Sequence, residues 1–278
     1  MPVTATFHEA TLGPDLVSEW RGDPLAAAAR EVFPVAAAGS PAGRRVGFHL
    51  QPAPGGGGVL RMDGTPLCSV PADTHLAPLI EKIGSVLAVR LAPGWLVLHA
   101  GLMGIGDRFL LLPAERRSGK STLCLALARH GWTYAGDDLV FFHPGRRVFH
   151  PFCKALTLKE GSFPLLPAEG KVHFDPARGP IRYFAPEHQC DSAIPAGRVV
   201  ALATPLFDPA SPPEGEIRPL APELAALSLV QQLVGGAARG EGALEWIREL
   251  CALPCRILRH PGAPVSVQLA RRCLEERT

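Results

Sequence analysis

Residues 110–122 read LLLPAERRSGKST, from Leu110 to Thr122, and the helical stretch Leu123–His130 follows at once. An apolar run, a turn, Ser118-Gly119-Lys120-Ser121-Thr122 and a helix make up the layout of a phosphate-binding loop. Backbone N–H groups at a helix start face an anion, the lysine adds a full charge, and the hydroxyl can reach a metal ion. Lys120 is placed on the outer phosphates of a nucleotide and Ser121 on Mg²⁺. The usual pattern has glycine five residues before Gly119, where this chain has Ala114, and small residues where it has Arg116 and Arg117. Forcing Arg117 to positive φ would cost about 1 kcal/mol or more. Either the loop is reshaped, or one of the arginines adds a charge to the phosphates.

Working outward, Asp137-Asp138 follows a short apolar stretch, 17 residues after Lys120. Hard cations such as Mg²⁺ are held by one or two carboxylates together with phosphate oxygens. A carboxylate can also accept the proton of an attacking hydroxyl. Neighbours on an extended chain point to opposite sides, so the two aspartates need not share a role. Asp138 is taken with Ser121 as the metal pair, and the base is left open between Asp137 and Asp138. Upstream, His99 lies in the apolar strand WLVLHAG, where it is a satisfied core residue or a group that orients a site carboxylate and tunes its pKa.

The rest of the chain frames this site. Val46–Gln51 and Val59–Met62 read as short strands across a glycine-rich turn. Leu79, Ile80, Ile83, Val86 and Leu87 give Ala77–Val89 helical spacing. Trp95–Met103 and Phe109–Leu112 read as strands, and Gly131 caps the helix after the loop. Thr133–Ala135 and Leu139–Phe142 are strands, Pro205–Pro222 is a surface connection, and Glu223–Leu233 and Ala243–Cys251 are helices. Residues 1–75 read as a loose N-terminal region containing a β-hairpin, and 76–278 as the phosphate-loop domain.

The 278 residues, 47% of them hydrophobic, suffice for a sizeable core, and a net charge of +2 gives no reason to expect a nucleic-acid partner. Only five of the 28 basic residues are lysines, which draws attention to Lys120, Lys154 and Lys159. Seven scattered cysteines argue against a disulfide framework. No signal peptide and no apolar run of membrane-spanning length is visible, so a cytoplasmic protein without a membrane partner is expected.

In the order His99-Ala100-Gly101, strand, GKS loop, helix, Gly131-Trp132 and Asp137-Asp138, the chain resembles the HPr kinase/phosphorylase family. LLPAERRSGKSTLC is similar to the LLPAPPGSGKSTLC of the bacterial HPr kinase-related kinase A group. The resemblance runs over about residues 75–260 and is most specific from Leu96 to Asp138. It implies an α/β (α+β) fold with a phosphoenolpyruvate carboxykinase-like P-loop kinase core behind a small N-terminal β-containing region. It further implies an ATP- and Mg²⁺-dependent serine kinase, a peptide or small-protein substrate, and a homo-oligomer. Carried over residue by residue, Ser118, Gly119, Lys120, Ser121, Thr122 and Arg117 bind nucleotide. Asp137, Asp138, His99 and Lys120 carry the chemistry. The departures at Arg116 and Arg117 keep a catalytically inactive nucleotide-binding module as an alternative, and a small-molecule kinase is another.

Weaker signals remain. Lys159 could reach a phosphate or the acceptor peptide, or be a solvated lysine. Cys251, Cys255, His260 and Cys273 read as buried packing rather than a metal set. Glu187-His188-Gln189-Cys190-Asp191 is not read as a nucleophile site. Leu224, Leu227, Val230 and Leu233 form a helical stripe assigned to the core.

Overall fold

The computed structural model of the chain describes residues 7–14, 16–34, 44–115, 117–234 and 242–275. It is a mixed α/β protein of two compact units. Unit 1 comprises Met1–Ala92 and Cys153–Ala185, and unit 2 comprises Pro93–Phe152 and Pro186–Thr278. Residues 76–92 and 153–185 therefore fall with the N-terminal strands.

Along the chain, unit 1 begins with β1 (Phe7–Gly13), β2 (Leu16–Arg21), α1 (Asp23–Val32), β3 (Arg44–Pro52), β4 (Gly58–Met62), β5 (Thr65–Val70) and α2 (Leu76–Arg90). Unit 2 follows with β6 (Leu96–Leu98), β7 (Ala100–Ile105), β8 (Arg108–Pro113), α3 (Lys120–Arg129), β9 (Thr133–Gly136), β10 (Val140–His143) and β11 (Val148–Pro151). The chain returns to unit 1 for β12 (Leu156–Lys159), β13 (His173–Asp175) and β14 (Gly179–Phe184). It completes unit 2 with β15 (Ile194–Pro195), β16 (Val199–Phe207), β17 (Glu216–Pro219), α4 (Pro222–Gln231), β18 (Leu233–Val234), α5 (Gly242–Cys251), β19 (Cys255–His260) and α6 (Ala263–Glu275).

Unit 1 contains the expected hairpin, β3 paired antiparallel with β4, within a larger sheet. Its first five strands form one sheet in the order β1-β2-β3-β4-β5, joined in parallel only between β2 and β3, where α1 makes the crossover. Trp20 and Phe48 stack across that parallel pair at 4.1 Å. A second sheet, β12-β14-β13, is tied to α2 by a buried charge cluster. Glu81 on α2 is 3% exposed. It accepts from Lys154 Nζ (3.1 Å), Thr157 Oγ1 (2.7 Å), Arg178 (3.0 and 2.5 Å) and Tyr183 OH (2.8 Å). Lys154 is thus a structural ion-pair partner, and Lys159 is exposed in this unit.

Unit 2 holds a six-stranded sheet, β17-β19-β16-β8-β7-β9, and a five-stranded sheet, β15-β11-β10-β6-β18. In the first, β8, β16 and β19 run parallel. Phe109–Pro113 of β8 is buried throughout, as expected of a strand covered on both faces. Two sequence expectations fail here. Pro205–Pro222 is not all connection, because Glu216–Pro219 pairs with β19 as the edge strand, a place that tolerates Pro219. The α4 stripe is not core: Leu224, Leu227 and Val230 are 56%, 54% and 43% exposed, and Ala225 and Leu229 face inward instead. Apolar spacing was present on two faces of that helix, and its period did not choose between them. Among the described residues, no helix is long and apolar enough to cross a membrane, and no disulfide joins any of the seven cysteines.

Candidate functional site

The loop between β8 and α3 carries the quoted motif. Gly119 is the residue before the helix and sits at φ 90°, the left-handed region that glycine enters without steric cost. Among the described residues no side chain caps the start of α3, which leaves the site expected for an anion at a helix N-terminus. Arg117 is also left-handed, at φ 70°, and exposed. The loop is therefore strained at the residue where a glycine was missing. Arg116 lies outside the described residues. Ser118, Ser121 and Thr122 are half-buried, and the Ser118 hydroxyl has no hydrogen-bond partner among the described residues.

Lys120, 6% exposed, opens α3 and donates through Nζ to the backbone carbonyl of Asp137. Two strand crossings bring the carboxylates to this point. Residue His99 separates β6 from β7, which belong to different sheets, and Asp137–Leu139 separates β9 from β10 in the same way. Leu102 pairs with Gly136 on one side of the crossing and Leu98 with Val140 on the other. Both neighbouring segments thus leave one sheet for the other side by side, and His99 faces Asp138. Gly136 makes this turn at φ 145°, where an added Cβ would lie 3.1 Å from the Leu139 carbonyl.

The two aspartates are in unlike surroundings. Asp137 is 3% exposed, and its Oδ1 accepts from Tyr134 OH at 2.9 Å. Burial, then the Asp137 charge, raises the Tyr134 phenol well above its usual range, so it remains a donor. Asp138 is open, with a side chain 36% exposed, and its Oδ1 lies 3.4 Å from His99 Nε2. The register of β18 against β6, Leu233 opposite Leu98, sets Gln232 opposite His99. His99 N donates to the Gln232 carbonyl at 2.7 Å. The Gln232 amide lies 3.0 Å from His99 Nδ1, and assigning its nitrogen to the side of the acceptors around it places that nitrogen 3.3 Å from His99 O, 3.2 Å from Ala114 O and 3.0 Å from His99 Nδ1. With Nδ1 accepting, the proton of a neutral His99 sits on Nε2 and points at Asp138. Gln232 thereby connects the loop at Ala114 to the carboxylates.

Tyr134 and Gln232 were not singled out in the sequence. Tyr134 had a weak signal, lying three residues before Asp137 in a predicted strand. Gln232 had none, since only the sheet register places it against a residue 133 positions away. Cys124, buried beside this site, has its thiol pushed up to about 12 by burial and by Asp137, so it is not a nucleophile. Cys190 and His188 instead hold the Tyr134 backbone, at 2.8 Å each. Among the described residues no three His, Cys, Asp or Glu side chains form a metal cluster. Ser121 and the aspartates nevertheless offer the hard oxygen donors that fit a Mg²⁺ ion arriving with phosphate oxygens.

No family model matches the chain, and no curated protein matches it. Among solved structures it has a distant likeness to the Hpr(Ser) kinase/phosphatase from Coxiella burnetii, 12% identical over 64% of this chain and 93% of that chain, with a TM-score of 0.28.

Proposed function

We propose that unit 2 is an ATP- and Mg²⁺-dependent kinase that transfers the γ-phosphate to a hydroxyl, of the kind its sequence resembles, with a serine of a peptide or small protein as the acceptor. The observation that carries this reading is one convergence. Lys120, at an uncapped helix start, touches the Asp137 backbone, and the next residue, Asp138, faces His99. The loop N–H groups and Lys120 hold the β- and γ-phosphates, and Arg117 adds a cation at the loop's outer side. Mg²⁺, when bound, neutralises charge developing on the phosphate oxygens.

Asp138, open and oriented by His99 Nε2–H, takes the acceptor's proton as its oxygen bonds to the γ-phosphorus. The bond from that phosphorus to the β,γ-bridging oxygen breaks, and ADP leaves. Asp137, buried and held by Tyr134, then serves with Ser121 as the metal pair. This exchanges the metal role given to Asp138 from sequence.

The test is transfer of labelled γ-phosphate to a panel of serine-containing peptides and small metabolites. Lys120→Ala should abolish binding and transfer. Asp138→Asn should keep ATP affinity and lower kcat by about 10²- to 10⁴-fold. Transfer unchanged in both variants would sink the assignment. ATP binding with transfer to no acceptor would favour an inactive regulatory module, a reading that the strained Arg117 supports.

A further inference from the structure

On the other side of β8 from the aspartates, the loop meets a surface that the proposed chemistry does not use. In the sheet order β17-β19-β16-β8-β7-β9, the carboxylates follow β9, two strands to one side of β8. One strand to the other side, β16 ends at Phe207, which pairs with His260 at the end of β19. The ends of three parallel strands thus lie together, the usual place for a ligand in an open parallel sheet.

Phe207 is fixed against the loop. Its N–H donates to the Ser118 carbonyl at 3.1 Å, and its Cβ lies 3.2 Å from where a Cβ on Gly119 would be. Its side chain nevertheless leaves the residue 47% exposed, although it is a large apolar group. Below it, His260 is 2% exposed, its ring centroid 6.0 Å from that of Phe207. For hydrogen bonding, the His260 ring meets only the Gly262 backbone among the described residues, and Nε2 lies 3.8 Å from the same Gly119 position. Burial lowers the His260 pKa, which keeps the ring neutral and suited to packing. An exposed aromatic ring, a buried imidazole and the Ser118 hydroxyl therefore surround one glycine of the loop.

A nucleoside triphosphate is a linear ligand with its reacting phosphate at one end and its base at the other. If the γ-phosphate lies toward Asp138, the base must run toward β16. We infer that Phe207, supported from beneath by His260, is the platform on which the purine base of the nucleotide stacks. The inference rests on the phosphate-site reading and adds the residue that tells a nucleotide from bare polyphosphate.

Calorimetry on the full chain with Mg²⁺ present, using ATP and inorganic tripolyphosphate as probes, tests it. Phe207→Ala should weaken ATP by about 10-fold or more, the scale of one base–aromatic stack. Tripolyphosphate affinity should not change, and Phe207→Tyr should bind ATP like the parent. Because Phe207 is half exposed, the variants should fold, and circular dichroism checks this. If Phe207→Ala weakens both probes equally, or neither, the platform is refuted. If the parent chain binds ATP no better than tripolyphosphate, the base has no platform while the phosphate site stands. If it binds neither probe, the phosphate-site reading fails and the inference falls with it.

Discussion

Arg117 gives the sharpest test of the loop. A left-handed conformation costs a side-chain-bearing residue about 1–2 kcal/mol, and Arg117 sits there at φ 70°. Arg117→Gly removes that cost but gives the unfolded chain more freedom, which returns about 0.4–1 kcal/mol. The net expectation is a gain of up to about 1 kcal/mol over the parent. Arg117→Ala keeps the strain and should be about 1 kcal/mol less stable than Arg117→Gly, the reverse of their order inside a helix. For a unit of this size, 1 kcal/mol moves the midpoint by about 2–4 °C, within reach of calorimetry or thermal circular dichroism. Arg147, left-handed at φ 52° and with its side chain on the exposed Glu249, is a control away from the loop, where Gly should also exceed Ala. Nucleotide titrations on the same variants separate strain from charge. Both Arg117 variants lose the guanidinium, so a phosphate contact would appear as an equal loss of about 10-fold or more. Equal stability of the Gly and Ala variants at 117, with the expected gap present at 147, would refute the strain argument.

Three further outcomes follow from the geometry. Burial pushes the Glu81 carboxyl up, but Lys154 and Arg178 more than offset it and hold it at about 2, against an ordinary 4.5. A carboxyl lowered on folding stabilises above its unfolded pKa, so about 3 kcal/mol should be lost as pH falls from 4.5 toward 2, read by urea unfolding across that window. Glu81→Gln at pH 7 should cost about 3–5 kcal/mol, because Lys154, 1% exposed, and Arg178 lose the carboxylate charge they share; a cost below 1 kcal/mol would show the cluster to be dispensable. Gly136→Ala, at φ 145° and against the Leu139 carbonyl, should destabilise by about 1–3 kcal/mol and also depress phosphoryl transfer; an unaffected transfer rate would detach that turn from the site. His99→Ala should lower kcat about 10- to 100-fold without changing ATP affinity, the loss of one polar contact to a charged group, while loss of affinity alone would place His99 in binding instead.

Much of unit 2 was legible because local chemistry and global fold agree there. The apolar run, the glycine and the helix formers after Lys120 each specify their own segment, and observed β8 and α3 begin within a few residues of the expected bounds. Of the N-terminal sheet, the β3–β4 hairpin was legible, and β1 and β2 were not, for a physical reason. Thr11, Ser18 and Glu19 interrupt the apolar runs of β1 and β2, and the strands are stabilised by pairing with distant partners such as β3. Phe207 was hidden in a proline-rich stretch, and its importance lies in register with His260, 53 residues on.

The proximity of His99 to Asp138 shows why motif and site differ in legibility. Neither residue is placed by its own neighbours: a histidine inside WLVLHAG and an aspartate after a glycine are ordinary sequence. They meet because two adjacent strands pass from one sheet to the other at the same level, and because β18 then lies along β6 and brings Gln232 to the unprotonated side of the imidazole. Each crossing interrupts the ladder, so the backbone groups of His99 need a partner from outside it, and Gln232 supplies one. The same Gln232 orients the imidazole for Asp138 and reaches Ala114 of the loop. Structural completion of a sheet corner and orientation of a site carboxylate are therefore one set of hydrogen bonds. Gln232→Ala should accordingly reproduce the kcat loss of His99→Ala, and the double variant should lose little more than either alone. Additive losses would show that the corner and the carboxylate are held independently.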